Sequence, residues 1–362
     1  MIAERLKRIR PSGVRRIFDL ASRMNDPIDL SLGEPDFDIP DEIKREGIRS
    51  IEEGFNKYTL TQGIPELRQK VEEYLQGKGV TFESVMITTG VTGGLLLCCL
   101  CLIDPGDEVL IPDPYFVMYE YQVLLMGGVP RYIDTYPDFR LREDKIREVL
   151  SSRTKLVIIN SPANPSGTVY SKEELELVAC IADERKLIVI SDDIYERFVY
   201  DAIAAPCMGQ IYDNTITLSG FSKTWGMTGW RLGYAAGPDE IIQKMIMLQQ
   251  YSFTCPPSFA QKAALVAFDC DMERYINHYR EKRDFIYEAL RERYRVERPL
   301  GSFFIFPEAD DGDGGKLVER AINKGVFIIP GSVFSQRTSH FRISFAAPLD
   351  VLERGAQILN KL

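Results

Sequence analysis

Short apolar runs recur through the middle of the chain, separated by longer stretches of mixed polarity. Ser84–Thr88 (SVMIT), Glu108–Ile111 (EVLI), Lys155–Ile159 (KLVII), Leu187–Ser191 (LIVIS) and Thr215–Ser219 (TITLS) are rich in β-branched and aliphatic residues, the texture of buried strands. Between them, Lys172–Glu184 (KEELELVACIADE) repeats its apolar residues at helical spacing. Buried strands alternating with amphipathic helices predict α/β layering around a largely parallel sheet. Ligands of such sheets lie beyond the carboxyl ends of the strands, so residues that directly follow a strand are the first candidates for chemistry.

The texture changes after residue 270. Met272–Tyr294 (MERYINHYREKRDFIYEALRERY) predicts a long charged amphipathic helix. It is followed by SFFIF, the loop DDGDGG, a helix near Lys316–Lys324, GVFIIPGS and HFRISFA. That order predicts a smaller α+β domain. Before residue 41 the chain carries Pro11, Pro27, Pro35 and Pro40, which favour extended backbone. We therefore divide the chain into residues 1–40, an arm and a loop packing with the small domain; residues 41–270, a large domain; and residues 271–362, a small C-terminal domain.

Composition narrows the function classes. The 362 residues are 45% apolar and 27% charged, as in ordinary soluble globular proteins. A formal charge of −9 leaves no basic footprint and argues against nucleic acid and anionic membrane as partners. The longest near-apolar run, Val91–Ile103, has 13 residues, short of the roughly 20 that span a bilayer. The first residues, MIAERLKRIRPSG, carry charges and no apolar signal core, so a cytoplasmic location is expected. None of the seven cysteines forms a paired metal-site spacing, and an odd count argues against a disulfide framework. Cys98, Cys99 and Cys101 lie among leucines and are expected to be buried small apolar residues. With only His278 and His340 present, a histidine triad or a metal centre is disfavoured. Another residue type has to move protons.

Ser219–Tyr234 (SGFSKTWGMTGWRLGY) sets Lys223 among glycines and hydroxyls, with Arg231 eight residues on. Such a lysine suits an imine with an aldehyde cofactor, and such an arginine suits that cofactor's phosphate, the chemistry of pyridoxal 5′-phosphate. A solvated loop lysine is the plainer alternative. In Ser191–Tyr195 (SDDIY), Asp192 follows a strand and is placed to hold a proton on a pyridine nitrogen. Tyr195, three residues on, is placed to donate to the ring's phenolic oxygen; a helix cap is the alternative for the aspartate pair. Asn160–Thr168 (NSPANPSGT) is a turn-rich loop in which Asn164 could meet the same oxygen. Its Asn164–Pro165 bond is a candidate cis peptide, although base rates favour trans.

Thr88–Gly94 (TTGVTGG) joins a strand to an apolar helix, and backbone N–H groups at Gly90, Val91 and Thr92 would bind phosphate there. The turn lacks the spacing of the dinucleotide fingerprint, which makes a nicotinamide-dependent oxidoreductase remote. Phe116, in DPGDEVLIPDPYF, is placed to stack on a ring or to fill the core. Arg342, in the apolar run FRISFA, is either a carboxylate fork or half of a structural ion pair.

Taken in order, SLGEPDF, YTLTQGIPELR, TTGVTGG, DPGDEVLIPDPYF, NSPANPSGT, SDDIY, SGFSKTWGMTGWRLGY, GSFFIFPE, GVFIIPGSVF and FRISFA resemble the fold-type I PLP enzymes, class I/II aminotransferases. The resemblance spans nearly the whole chain and is nearest to prokaryotic aspartate and aromatic aminotransferases. It implies that Lys223 is the Schiff-base lysine and proton shuttle, and that Asp192 pairs with the pyridine nitrogen. It further implies that Tyr195 and Asn164 meet the phenolic oxygen and Phe116 stacks on the ring. Arg231, Ser222 and the backbone at Val91 and Thr92 would hold the phosphate. Arg342 and the backbone of Gly33, with Asn164 beside them, would hold the substrate α-carboxylate. Tyr58 would reach the cofactor of a neighbouring subunit in a homodimer with shared sites.

The expected activity is amino-group exchange between an L-amino acid and a 2-oxo acid such as 2-oxoglutarate, by a ping-pong cycle. A carbon–sulfur β-lyase on the same scaffold is the alternative. A PLP-binding regulator is remote, because SLGEPDF begins only thirty residues in. Three positions depart from the family pattern: Asp193 stands where many relatives have Glu, and Gly220 where some have Ser. The TTGVTGG turn, finally, has no basic residue for an acidic substrate side chain.

Overall fold

The computed structural model describes residues 2–362 other than 12, 25, 202 and 204. Its strands are β1 (Ile28–Asp29), β2 (Ser84–Thr88), β3 (Glu108–Asp113), β4 (Val129–Asp134), β5 (Thr154–Asn160), β6 (Ile188–Asp192), β7 (Thr215–Gly220), β8 (Gly233–Gly237), β9 (Phe304–Ile305), β10 (Val326–Phe327), β11 (Ile329–Pro330) and β12 (Phe341–Ser344). Seven of them form the central sheet, in the order β2-β8-β7-β6-β5-β3-β4. Only β8 runs against its neighbours. The five strands predicted from apolar runs are β2, β3, β5, β6 and β7, within two residues at their ends.

The other two strands of this sheet carry no such run. β4 (VPRYID) sits at the sheet edge, where its Pro130 removes no ladder bond that a central strand would need. Apart from Tyr234, β8 (GYAAG) is built of glycine and alanine, which have poor strand propensity. It is a strand because its backbone must come close to its neighbours. A Cβ on Gly233 would lie 2.9 Å from the backbone of Gly90, and one on Gly220 would lie 2.7 Å from Gly233 Cα.

Helix Gly90–Leu102 is apolar on every side, as a helix covered all round should be. It packs on β7 and β8 and under helix Asp239–Ser252. Cys98 and Cys99 are fully buried there, whereas Cys101 is only half-buried and packs against the edge of the same core. Helix Lys172–Arg185 starts at a capping box in which Ser171 and Glu174 satisfy each other's backbone N–H. The long helix of the small domain runs Glu273–Leu290 and stops short of the predicted Tyr294. Asn164–Pro165 is cis, against the base-rate expectation.

The small C-terminal domain holds an antiparallel sheet in the order β11-β12-β9. Its core joins Ile286, Leu290, Phe303, Leu317, Phe341 and Leu352, and Ile28 and Leu30 from the N-terminal segment lie in the same cluster. β1 pairs in parallel with β10. A second tie follows at Asp36, which accepts from the wholly buried Lys282 and from Tyr279 Oη at 2.6 Å. The loop that carries Gly33 is thus fastened to helix Glu273–Leu290. Lys282→Met, which keeps the packing and removes the charge, is expected to lower unfolding stability by about 1–3 kcal/mol in denaturant titration. No described helix is long and apolar enough to cross a membrane.

Candidate active site

The ladder register sets the site. Asn160 pairs with Asp192 at the ends of β5 and β6, and Asp192 pairs with Leu218 of β7. β7 then runs directly into the four-residue helix Phe221–Thr224, which carries Ser222 and Lys223. Beyond these strand ends lies a cleft of about 760 Å³. Lining it are Gly33, Val91, Thr92, Phe116, Asn164, Asp192, Tyr195, Ser222, Lys223, Arg231 and Arg342. Tyr58 does not join them; it is 83% exposed on a separate part of the surface. A larger hollow of about 1130 Å³ lies apart from the cleft, and its Arg140 and Arg142 are already engaged by Glu174 and Asp138.

Lys223 Nζ donates to the carbonyl of Gly33 at 2.5 Å. Burial pulls its pKa down to about 8; the charges of Arg231 and Arg342 add to that, while Glu34 and Asp192 oppose it. A lysine so placed gives up its proton readily and becomes a nucleophile and base near neutral pH. Asp192 is buried, and burial raises its pKa to about 6 against the hydrogen bonds it accepts from Tyr119 and Ile194. Tyr195 is also buried, which keeps its phenol protonated, with Asn164 and Arg342 nearby.

Arg342 is 1% exposed and lies between the rings of Phe304 and Phe334, at 4.4 and 4.5 Å. It donates to Asn164 Oδ1 at 3.0 Å and to the carbonyl of Ser31 at 2.6 Å. Its Nε has no partner, and among the described residues no carboxylate pairs with it. The structural ion pair left open by the sequence is therefore not what holds this arginine. A buried, uncompensated guanidinium facing a cleft is a receptor for a carboxylate.

At the other end, Gly90 opens helix Gly90–Leu102 with φ +69°, and a Cβ there would lie 2.6 Å from the Arg231 guanidinium. Only glycine lets the helix N-terminus and the arginine share one small space. The N–H groups that follow, Arg231 and the buried Ser222 together make an anion cradle. One cleft thus holds an anion cradle, a lysine of lowered pKa, a buried acid and an unpaired arginine.

The model of the family "Aminotransferase class I and II" matches residues 25–359. The chain belongs to this family. An aspartate aminotransferase of Pyrococcus abyssi is 37% identical over 381 aligned positions, covering 100% of this chain and 98% of that protein. An aromatic-amino-acid aminotransferase of Thermococcus litoralis is 36% identical, covering 100% and 98%. The structure of the Thermus thermophilus aspartate aminotransferase with maleate superposes with a TM-score of 0.95 at 31% identity, covering 100% of this chain and 99% of that one.

This aminotransferase is a fold-type I enzyme whose cofactor is pyridoxal 5′-phosphate, and the residues present fit that group. Its phosphate matches the cradle around Gly90, and its pyridine nitrogen matches the buried acid. Two of the departures acquire physical reasons. A serine at position 220 would drive its Cβ into the backbone of β8, so glycine is needed there for strand packing. The carboxylate of Asp193 accepts from Ser191 Oγ at 2.7 Å and is not part of the cleft lining.

Sequence reasoning missed four contributors. Asn160 ties two site residues together, donating to the Asp192 carbonyl at 2.8 Å and accepting from the Asn164 N–H at 2.9 Å. Arg10 and Arg15, from the N-terminal segment, are among the cleft-lining residues, and Arg15 is already paired with Asp19 at 3.2 Å. Tyr119 donates to Asp192 Oδ2 at 2.7 Å. Strand-end position could have pointed to Asn160, but nothing local marks the other three.

Proposed function

We propose that this enzyme exchanges an amino group between an L-amino acid and a 2-oxo acid, with 2-oxoglutarate as acceptor, by a ping-pong cycle. The observation that carries the reading is the meeting, in one cleft, of Lys223 with its lowered pKa, the buried Asp192 and the uncompensated Arg342. Bound pyridoxal phosphate supplies an aldehyde to receive the amino group and an electron sink for the charge left when the α-proton departs.

The chain's own residues do the rest. Arg342 would grip the α-carboxylate as a fork, helped by Asn164 and the backbone of Gly33, and so would fix the orientation of the substrate in the cleft. Lys223, with its lowered pKa, would hold the cofactor's aldehyde covalently and, once freed, would serve as the general base for the substrate's α-proton. Asp192 would keep the pyridine nitrogen protonated, Tyr195 and Asn164 would steady the phenolic oxygen, and Phe116 would cover the ring face. Val91, Thr92, Ser222 and Arg231 would hold the phosphate.

The active form is a homodimer in which Tyr58 reaches its partner's phosphate. Large apolar side chains exposed on one chain support this: Tyr58, Leu60, Met247 and Tyr251 are all open to solvent, on segments joined by the bond from Gln249 Nε2 to the carbonyl of Thr61.

The test is the visible spectrum of the PLP-loaded enzyme as single amino acids are added without an oxo acid. Loss of the yellow band and appearance of the amine form of the cofactor, in stoichiometric amount, is the expected result. The amino acids that convert it fastest name the donor. Release of ammonia and pyruvate from cystathionine, with the resting spectrum unchanged, would overturn transamination in favour of the lyase.

A further inference from the structure

Tyr119 is a buried core aromatic on helix Val117–Leu125, packed edge-on to Phe116 with ring centroids 5.7 Å apart. Apolar packing alone would be served by phenylalanine. The hydroxyl is what differs, and it points at one atom, Asp192 Oδ2. The other carboxylate oxygen accepts from the Ile194 N–H at 3.2 Å. Asp192 is thereby held by one donor on each oxygen, and the Asn160 side chain holds its carbonyl. A carboxylate has about four lone-pair sites, so two fixed donors leave room for a third from the cleft.

We propose that Tyr119 is a positioning residue for transamination: its hydroxyl keeps Asp192 aimed and charged, so that the proton they share with the cofactor rests on the ring nitrogen. The proposal rests on the pairing of Asp192 with that nitrogen. Burial raises the Tyr119 pKa well above its ordinary value, so the phenol remains a donor at any working pH. The bond favours the ionised carboxylate and is the largest force opposing the effect of burial on Asp192. The other titratable groups facing Asp192 are Lys223, Tyr195 and Asp193. Of these, only Lys223 carries a positive charge, and that charge is lost whenever the lysine acts as a base. Tyr119 is therefore the constant support. Without it the carboxylate becomes more basic and draws the proton off the ring, which weakens the electron sink.

The experiment is the ¹⁵N NMR shift of the ring nitrogen of ¹⁵N-labelled PLP bound to the wild-type enzyme, to Tyr119→Phe and to Asp192→Asn, with steady-state kinetics alongside. In wild type the nitrogen is expected to read as protonated, and in Asp192→Asn as unprotonated. In Tyr119→Phe the shift is expected to move part-way between them. Its kcat should fall about ten- to a hundredfold, the span of one hydrogen bond to a charged group, with KM changing less than about threefold. A Tyr119→Phe enzyme with the wild-type shift overturns the proposal, whatever happens to its melting temperature or its rate. A shift that is the same in Asp192→Asn as in wild type overturns the assignment of Asp192 itself.

Discussion

Lys223→Ala is expected to abolish turnover while the protein still takes up PLP. The lysine is asked to do two things that no neighbour can take over. Among the described residues it is the only lysine lining the cleft, and neither histidine is there to replace it: His278 lies on the helix Glu273–Leu290 and His340 is packed against Tyr136 and Phe306. Loss of a general base alone costs about a hundred- to ten-thousandfold, and loss of the covalent hold on the cofactor adds to that. The rate should therefore fall by about four orders of magnitude or more. The cradle at Gly90, Ser222 and Arg231 is untouched, so PLP should still bind, but without a covalent link it should be lost faster on dialysis. Kinetics and dialysis together read both halves. A variant that keeps near-normal activity would remove Lys223 from the reaction.

Arg342→Ala should act on the substrate instead. The guanidinium lies against the rings of Phe304 and Phe334 and is pinned by Asn164 and Ser31, with Nε left over. Burial pulls its pKa down to about 9, still above neutral, so it is charged when substrate arrives. Losing a forked, charge-assisted contact to a carboxylate is worth about 3 kcal/mol, or roughly a hundredfold. KM is expected to rise by about that factor for every amino acid tested, because all share the α-carboxylate. Arg342→Lys keeps the charge but loses the fork, and should fall between the two. A rise confined to one donor would place Arg342 in a side-chain pocket.

The cleft was legible early because its candidate residues sit at strand ends, where sequence and space coincide. Asn164, Asp192, Ser222 and Lys223 each follow an apolar run of β-branched residues, and a parallel sheet brings such ends to one edge. β8 was not legible, since GYAAG has neither the apolar bulk nor the branching of a strand. Its identity is decided by the close approach of Gly90 and Gly220, which no local pattern reports.

The chain's own order of residues determined the α/β class, five of the seven central strands, the small C-terminal domain and the cofactor. The first three follow from periodicity and turn chemistry, which act over a few residues at a time, and the cofactor from the Lys223 segment and the resemblance carried by the ordered motifs. Tertiary structure alone decided which polar groups meet. Tyr119 reaches Asp192 across 73 positions, and Arg342 reaches the Ser31 carbonyl across 311. It also decided that Arg342 has no carboxylate partner among the described residues, and that Asp36 is tied to a buried lysine. Such pairings depend on the packing of whole layers, and the pKa of each group depends on how deeply that packing buries it.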